Sequence, residues 1–242
     1  MFPNKRITLP MVHGLYKGIK LNVSINHQLG LIAHPIEPAF QDFMKRYLKA
    51  GDLAFDVGAN IGYTSILASR MVGPKGHVYS FEPIPDNISV FKKNCRLNNC
   101  QNISLIEKAL STKKEEVEFN IPENGHGLSM SSMVWGKTSK GVKKQRVSCI
   151  CIDQEPSFND LSPKTIKIDV EGAEGYVIEG MQQLISRCRP ILYIECSEIG
   201  RETSWNILTS LNYRCFSSDN KVEISDFEQY AHADFIWVPS KS

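Results

Sequence analysis

Asp56-Val57-Gly58-Ala59-Asn60-Ile61-Gly62 closes one apolar run, Leu53–Val57, and opens a longer amphipathic one, Ile61–Val72. A short apolar run, then glycines, then a helical pattern predicts a strand, a tight turn and a helix. The same alternation recurs on both sides of it. His77–Phe81 reads as a second strand, and Pro85–Asn98 as a second helix with Ile88, Phe91 and Cys95 on one side. Ile103–Ile106 is a third strand; Thr165–Val170 and Ile191–Cys196 are two more. Between these last two, one helix is expected, with Val177, Met181, Leu184, Ile185 and Cys188 in register, ended by Arg189-Pro190. Trp205–Leu211 reads as helix, Tyr213–Ser217 and Asp234–Val238 as late strands. Upstream, Glu37-Pro38 starts a helix with Phe40, Phe43, Met44, Tyr47 and Leu48 on one face, stopped by Gly51. Apolar strands alternating with helices predict an α/β, doubly wound, mostly parallel sheet covered on both faces.

Two segments depart from that rhythm. Residues 1–36 are β-leaning and punctuated by glycines, and are expected to form a small extension before one domain spanning 37–242. Residues 115–152 interrupt the domain after the third strand. There Glu116–Ile121 and Arg146–Ile152 alternate like a β-hairpin, and the connection between them carries several glycines and serines. So long a loop in a compact domain is usually functional or disordered, and it reads as a substrate-side flap.

The composition is that of an ordinary soluble chain. Of 242 residues, 42% are apolar and 22% charged, and the net charge is +2. That charge argues against a nucleic-acid partner, which more often meets a strongly basic face. No apolar stretch reaches membrane-spanning length. The seven cysteines are an odd count without a preceding signal peptide. A cytoplasmic location is therefore expected, with Cys149 and Cys151 as apolar fillers.

The glycine loop sits where open α/β sheets bind ligands, at the carboxyl ends of strands. Its spacing fits neither a dinucleotide fingerprint nor a phosphate-binding loop, because Asn60 and Tyr63 stand at the second and third glycine positions of the former. Asp56 would repel a pyrophosphate and favour an ammonium or sulfonium. S-adenosylmethionine carries both. Glu82, ending the second strand, is placed to accept ribose hydroxyls. In Lys167-Ile168-Asp169-Val170-Glu171-Gly172-Ala173-Glu174, strand alternation puts Lys167, Asp169 and, if the strand continues, Glu171 on one side. Asp169 and Glu171 are candidate bases for an acceptor hydroxyl. They could also hold a metal, but no second acid cluster of ligand spacing accompanies them, so no metal is expected. Glu174 is expected in the first turn of the next helix, where the dipole favours it. His126, the flap's one histidine, is a further candidate base. Lys137, Lys140, Lys143, Lys144 and Arg146 form a basic run that would steer an anionic acceptor.

Together, the glycine loop, Phe81-Glu82-Pro83, Ala109-Leu110-Ser111 and the Asp-Val-Glu-Gly stretch resemble the FkbM family of S-adenosylmethionine-dependent methyltransferases, from about Glu37 to Cys196. The resemblance implies the Rossmann-like class I methyltransferase fold: a seven-stranded sheet whose last strand is antiparallel. It implies methyl transfer to a hydroxyl oxygen of a sugar, polyketide or other small natural product. It also implies that Asp56, Gly58, Asn60 and Gly62 line the methionine end of the cofactor. Glu82 would hold the ribose and Lys108-Ala109 would edge the adenine. Asp169 would lie near the amino group and the transferring methyl, and Glu37 matches a recurrent family glutamate. Ser131-Ser132 corresponds to a small-residue stretch of relatives, whereas His126 and Trp135 look individual. No Asn/Asp-Pro-Pro-Tyr/Phe tetrad of amine-methylating relatives is present, which favours oxygen as acceptor. Three rivals remain at this point: a nicotinamide-dependent oxidoreductase, an RNA methyltransferase and a non-enzymatic partner-binding subunit.

Overall fold

The computed structural model describes residues 5–25, 28–33, 37–122, 142–196, 198–226 and 233–240. The chain begins with an antiparallel pair, β1 (Arg6–Pro10) and β2 (Lys20–Ser24), followed by a single helical turn, α1 (Gly30–Ala33). Then come α2 (Pro38–Tyr47), β3 (Leu53–Val57), α3 (Tyr63–Val72), β4 (His77–Phe81), α4 (Pro85–Leu97) and β5 (Ile103–Ile106). A second small sheet follows from β6 (Ala109–Leu110), β7 (Glu115–Pro122) and β8 (Val142–Ile150). The rest is β9 (Thr165–Ile168), α5 (Glu174–Glu179), α6 (Gln182–Cys188), β10 (Ile191–Cys196), α7 (Glu198–Ser210), β11 (Tyr213–Ser217), β12 (Glu223–Ile224) and β13 (Ala233–Pro239).

The large sheet runs β12-β11-β13-β10-β9-β3-β4-β5. From β10 to β5 neighbouring strands are parallel, and β13 inserts antiparallel between β10 and β11. These are the seven expected strands, with the two-residue β12 added at the edge. Strand order reverses between β3 and β9, which opens the crevice where such sheets hold ligands.

Alternation along the strands separates two apolar layers. Phe55, Val57, Ile166, Ile168, Leu192 and Ile194 pack against α5, α6 and Leu208 of α7. Ala54, Val78, Tyr193 and Ile236 face the other way, onto α2, α3 and the N-terminal hairpin. On that side Phe40 and Phe43 of α2 hold the Tyr193 ring at 5.0 and 5.2 Å. Leu21 and Val23 of β2 belong to the same cluster, so the hairpin shares the domain's core. Asn94 of α4 reinforces the join. Its amide donates to the Ile61 carbonyl at 2.8 Å and accepts the Asn22 N–H at 2.7 Å.

Four expectations need correction. The strand expected over Thr165–Val170 ends at Ile168, and the chain turns away at Glu171, whose backbone is left-handed, φ 53°. The single helix expected through Val177 and Cys188 is two helices, α5 and α6. Gly180 lies between them against the Ser111 carbonyl, which a Cβ there would meet at 2.1 Å. Asp153 then caps the second helix, accepting the Gln183 and Leu184 N–H groups at 2.7 and 3.0 Å. The helix expected from Trp205 begins at Glu198. The first long helix stops at Tyr47, before Gly51 is reached. No helix among the described residues is long and apolar enough to cross a membrane.

Candidate functional site

The loop after β3 is built to bring backbone close to backbone. Gly58 has φ 81°, and its two neighbours in space leave no room: a Cβ would sit 1.8 Å from the Asp169 carbonyl oxygen. The N–H groups of Gly58 and Ala59 both donate to the Phe81 carbonyl at 3.0 Å. Asn60 is left-handed, φ 51°, and its N–H reaches Glu82 Oε2 at 2.8 Å. Gly62, φ 88°, starts α3 with the Phe91 ring where a side chain would be. The ends of β3, β4 and β9 are thus joined through one turn.

Glu82 is buried and well supplied with donors. Oε1 accepts the Ile84 N–H at 2.9 Å and Asn87 Nδ2 at 3.1 Å. With Asn60, three of about four carboxylate acceptor positions are filled. Burial nonetheless raises its pKa to about 7, with those three donors pulling the other way and Asp56 adding to the rise.

Asp56 lies in a polar row across the sheet. It pairs with Ser80 of β4 and Lys167 of β9, and Lys167 pairs in turn with Tyr193. Asp56 Oδ2 accepts the hydroxyls of Thr64 and Ser65 at 2.6 and 2.5 Å. Oδ1 is buried and has no hydrogen-bond partner among the described residues. The Tyr16 hydroxyl, also buried, is in the same state.

One turn further toward the carboxyl ends the site becomes acidic. Buried Lys167 donates to Asp169 Oδ2 at 2.8 Å. Burial opposes the charge on Lys167, but Asp169, Asp56 and Glu37 together raise its pKa well above the usual value. Glu37 has a left-handed backbone, φ 42°, just before Pro38, and its carboxyl accepts the Tyr63 hydroxyl at 2.5 Å. Burial raises its pKa against the pull of Lys167 and Tyr63. Glu195 and Asp234 are cross-strand partners, and Asp234 accepts the Tyr193 hydroxyl at 2.7 Å. Burial raises both of their pKa values, and Asp169 adds to each. Glu171 is exposed on its left-handed turn and so does not continue the face of Asp169, as strand alternation would have it. Partial burial and the charges of Asp169 and Glu174 raise its pKa to about 7.

Other expected positions divide. Glu174 is fully buried and accepts the Gly172 N–H at 2.8 Å, a structural role. Lys108 is half-buried beside buried Ala109, at the start of β6. His126, Ser131, Ser132, Trp135, Lys137 and Lys140 lie outside the described residues. In the described part of the basic run, Arg146 stands opposite Glu118 and Lys144 pairs with that same acid at 2.5 Å, while Lys143 stands opposite Ile121. Among the described residues no group of three or more His, Cys, Asp or Glu could hold a metal ion.

The methyltransferase FkbM domain matches residues 56–231, from the glycine loop to just before β13. The chain belongs to that family. Its cofactor is S-adenosylmethionine. Among curated proteins it is similar to the protein-L-isoaspartate O-methyltransferase of Fervidobacterium nodosum, 28% identical over 41% of this chain and 42% of the relative. It is also similar to the arsenite methyltransferase of Halobacterium salinarum, 32% identical over 31% of this chain and 16% of that one. The chain therefore spans less than half the length of these relatives. A solved S-adenosylmethionine-dependent O-methyltransferase from Thermotoga maritima shares the fold, with a TM-score of 0.53 at 11% identity over 92% of this chain and 74% of that one.

The candidate site fits this cofactor: its amino group and sulfonium are cations, and Asp56 Oδ1 is a buried acceptor with no donor among the described residues. Sequence reasoning missed Tyr16, Tyr63, Glu195 and Asp234. The lone acid in the apolar strand Ile191–Cys196 was a usable signal for Glu195, the same one that marked Asp169. Tyr16 and Tyr63 join only through tertiary packing, their rings 5.8 Å apart.

Proposed function

We propose that this FkbM protein transfers a methyl group from S-adenosylmethionine to a hydroxyl oxygen of a small-molecule or saccharide acceptor. The observation that carries the reading is the contact of Gly58 with the Asp169 carbonyl. It sets a carboxylate at the end of β9 directly beside the loop that would hold the cofactor. Bound there, the cofactor supplies an electrophilic methyl group. Gly58, Asn60 and Gly62 let the backbone lie against its methionine end. Asp56 and Asp169 face its amino group, and Glu82 accepts a ribose hydroxyl. Lys108 and Ala109 edge the adenine. Glu37, tied to Tyr63, closes the side next to α2. Asp169 or Glu171 takes the proton of the acceptor hydroxyl, and the Glu171 pKa of about 7 suits that task at neutral pH. Positioning two reactants in attack geometry contributes on the order of 7–11 kcal/mol.

Residues 37–242 form the methyltransferase unit in this reading. Residues 1–36 are its extension and residues 115–152 an insertion. Seven free cysteines fit a reducing, cytoplasmic setting. The glycine spacing disfavours a nicotinamide-dependent oxidoreductase, and the mild charge disfavours RNA as acceptor.

The test is a calorimetric titration with S-adenosylhomocysteine, with NAD in parallel, followed by a screen of hydroxylated acceptors. Micromolar affinity for the first ligand alone is expected. NAD binding, or methyl transfer only to amines, overturns the proposal. Asp169→Asn should lower kcat by about 10²-fold or more if Asp169 is the base. A loss confined to S-adenosylhomocysteine affinity assigns it to the amino group instead.

Ligand hydroxyls need Glu82 as a carboxylate. Its pKa is raised to about 7, so binding releases a proton near neutrality and affinity falls as pH drops through that value. The decline approaches tenfold per unit below it. Titrations from acid to alkaline pH, in buffers of different ionisation enthalpy, read both effects. A flat profile removes Glu82 from the ligand.

A further inference from the structure

Away from the ligand crevice, the amino-end side of β4 and β5 holds a groove of about 690 Å³, walled by Ser69, Arg70, Asn98, Cys100 and Asn102. Its floor is the C-terminus of α4, which ends in a Schellman motif. Asn99 is left-handed, φ 52°. The Cys100 N–H donates to the Cys95 carbonyl at 3.1 Å, and the Asn99 N–H to the Arg96 carbonyl at 3.3 Å. This motif places the side chains of its first and last residues together, usually as an apolar pair. Here both are cysteines. Both thiols are free and half-buried, near enough to perturb each other's ionisation, with Cys100 on the groove wall.

We propose that Cys95 and Cys100 are a reversible dithiol–disulfide site, and that the groove admits an acidic low-molecular-weight disulfide to oxidise it. The Cys100 thiolate attacks one sulfur of the incoming disulfide, and the other sulfur leaves as a thiolate that takes up a proton. The Cys95 thiol then gives up its proton to water and attacks the Cys100 sulfur, expelling the second small thiolate. Two protein thiols are oxidised and one small disulfide is reduced to two thiols. The order of attack follows from the surroundings. The neighbouring Cys95 thiol lowers the Cys100 pKa against its burial, while the same neighbour, together with burial, raises Cys95. Thiolate character decides which cysteine reacts first. Arg70, exposed on the groove wall, supplies the charge that draws an acidic disulfide. The device does not depend on the methyltransferase reading.

The test is incubation of the folded protein with oxidised glutathione, followed by intact mass, thiol titration and peptide mapping. The expected product has lost two of its seven thiols, carries no glutathione, and maps to a Cys95–Cys100 bridge that dithiothreitol reverses. Cys95→Ser should stop at one glutathione on Cys100, and Cys100→Ser should leave Cys95 unmodified. Cys100 should react about tenfold faster than buried Cys149 or Cys215. Glutathione retained on Cys100 in the unaltered protein overturns the proposal. So does reaction of Cys100 no faster than of those buried thiols. If a variant fails to fold, the map of the unaltered protein decides alone.

Discussion

Glu82→Gln weakens S-adenosylhomocysteine binding by about 10- to 10²-fold in calorimetric titration above pH 8. The amide removes the negative charge, and a charge-assisted hydrogen bond to a ribose hydroxyl contributes about 1.5–3 kcal/mol. It also removes part of the loop's support. Glu82 Oε2 holds the Asn60 N–H, while Oε1 holds Ile84 and Asn87. One of those oxygens becomes an NH₂ group facing donors, so the left-handed turn at Asn60 loses its anchor. The unfolding midpoint therefore falls as well, and the two losses are separable. Asn87→Ala withdraws one supporting donor and leaves the carboxylate in place, so it should lower affinity far less. Affinity within threefold of the unaltered protein for Glu82→Gln would remove this residue from the ligand site.

Gly58→Ala is expected to destabilise the fold by about 3–5 kcal/mol, a size tied to few mechanisms. Two of them act together here. An alanine at φ 81° is strained, and its methyl carbon would lie 1.8 Å from the Asp169 carbonyl oxygen. The obstacle is main chain, so no side chain can swing away. Either β3 and the end of β9 separate, or the loop refolds. Gly51→Ala supplies the comparison: φ is 89° but the space around it is open. That variant should show the backbone cost alone, about 1–2 kcal/mol. Urea unfolding reads both. Equal losses in the two variants would mean that the close approach at Gly58 has no energetic weight.

Much of this arrangement was legible in the sequence, for identifiable reasons. Leu53–Val57, His77–Phe81 and Ile191–Cys196 are short apolar runs bounded by turn residues, and a sheet buried on both faces permits little else. Asp56 and Glu82 stand out because an acid ending such a run has a cost unless something uses it. What could not be read depends on chain segments far apart. The apolar spacing of Val177, Met181, Leu184 and Ile185 continues across the break at Gly180. Only the Ser111 carbonyl and the distant Asp153 cap show that two helices, not one, carry it. The left-handed turn at Glu171 was hidden likewise, and with it the end of β9. The acidic nest gathers Glu37, Asp169, Glu195 and Asp234 from four separate stretches of chain. No local spacing encodes their meeting around Lys167.

Asn94 has a consequence for how this protein can change over generations. One side chain holds the carbonyl of Ile61 in the ligand loop and the N–H of Asn22 in the first hairpin. A lineage that discarded the hairpin would strand a buried amide beside the loop it most needs to keep. A lineage that replaced Asn94 would loosen both at once. The hairpin and the loop are thus coupled through one buried amide, so a change to the opening residues is felt at the loop.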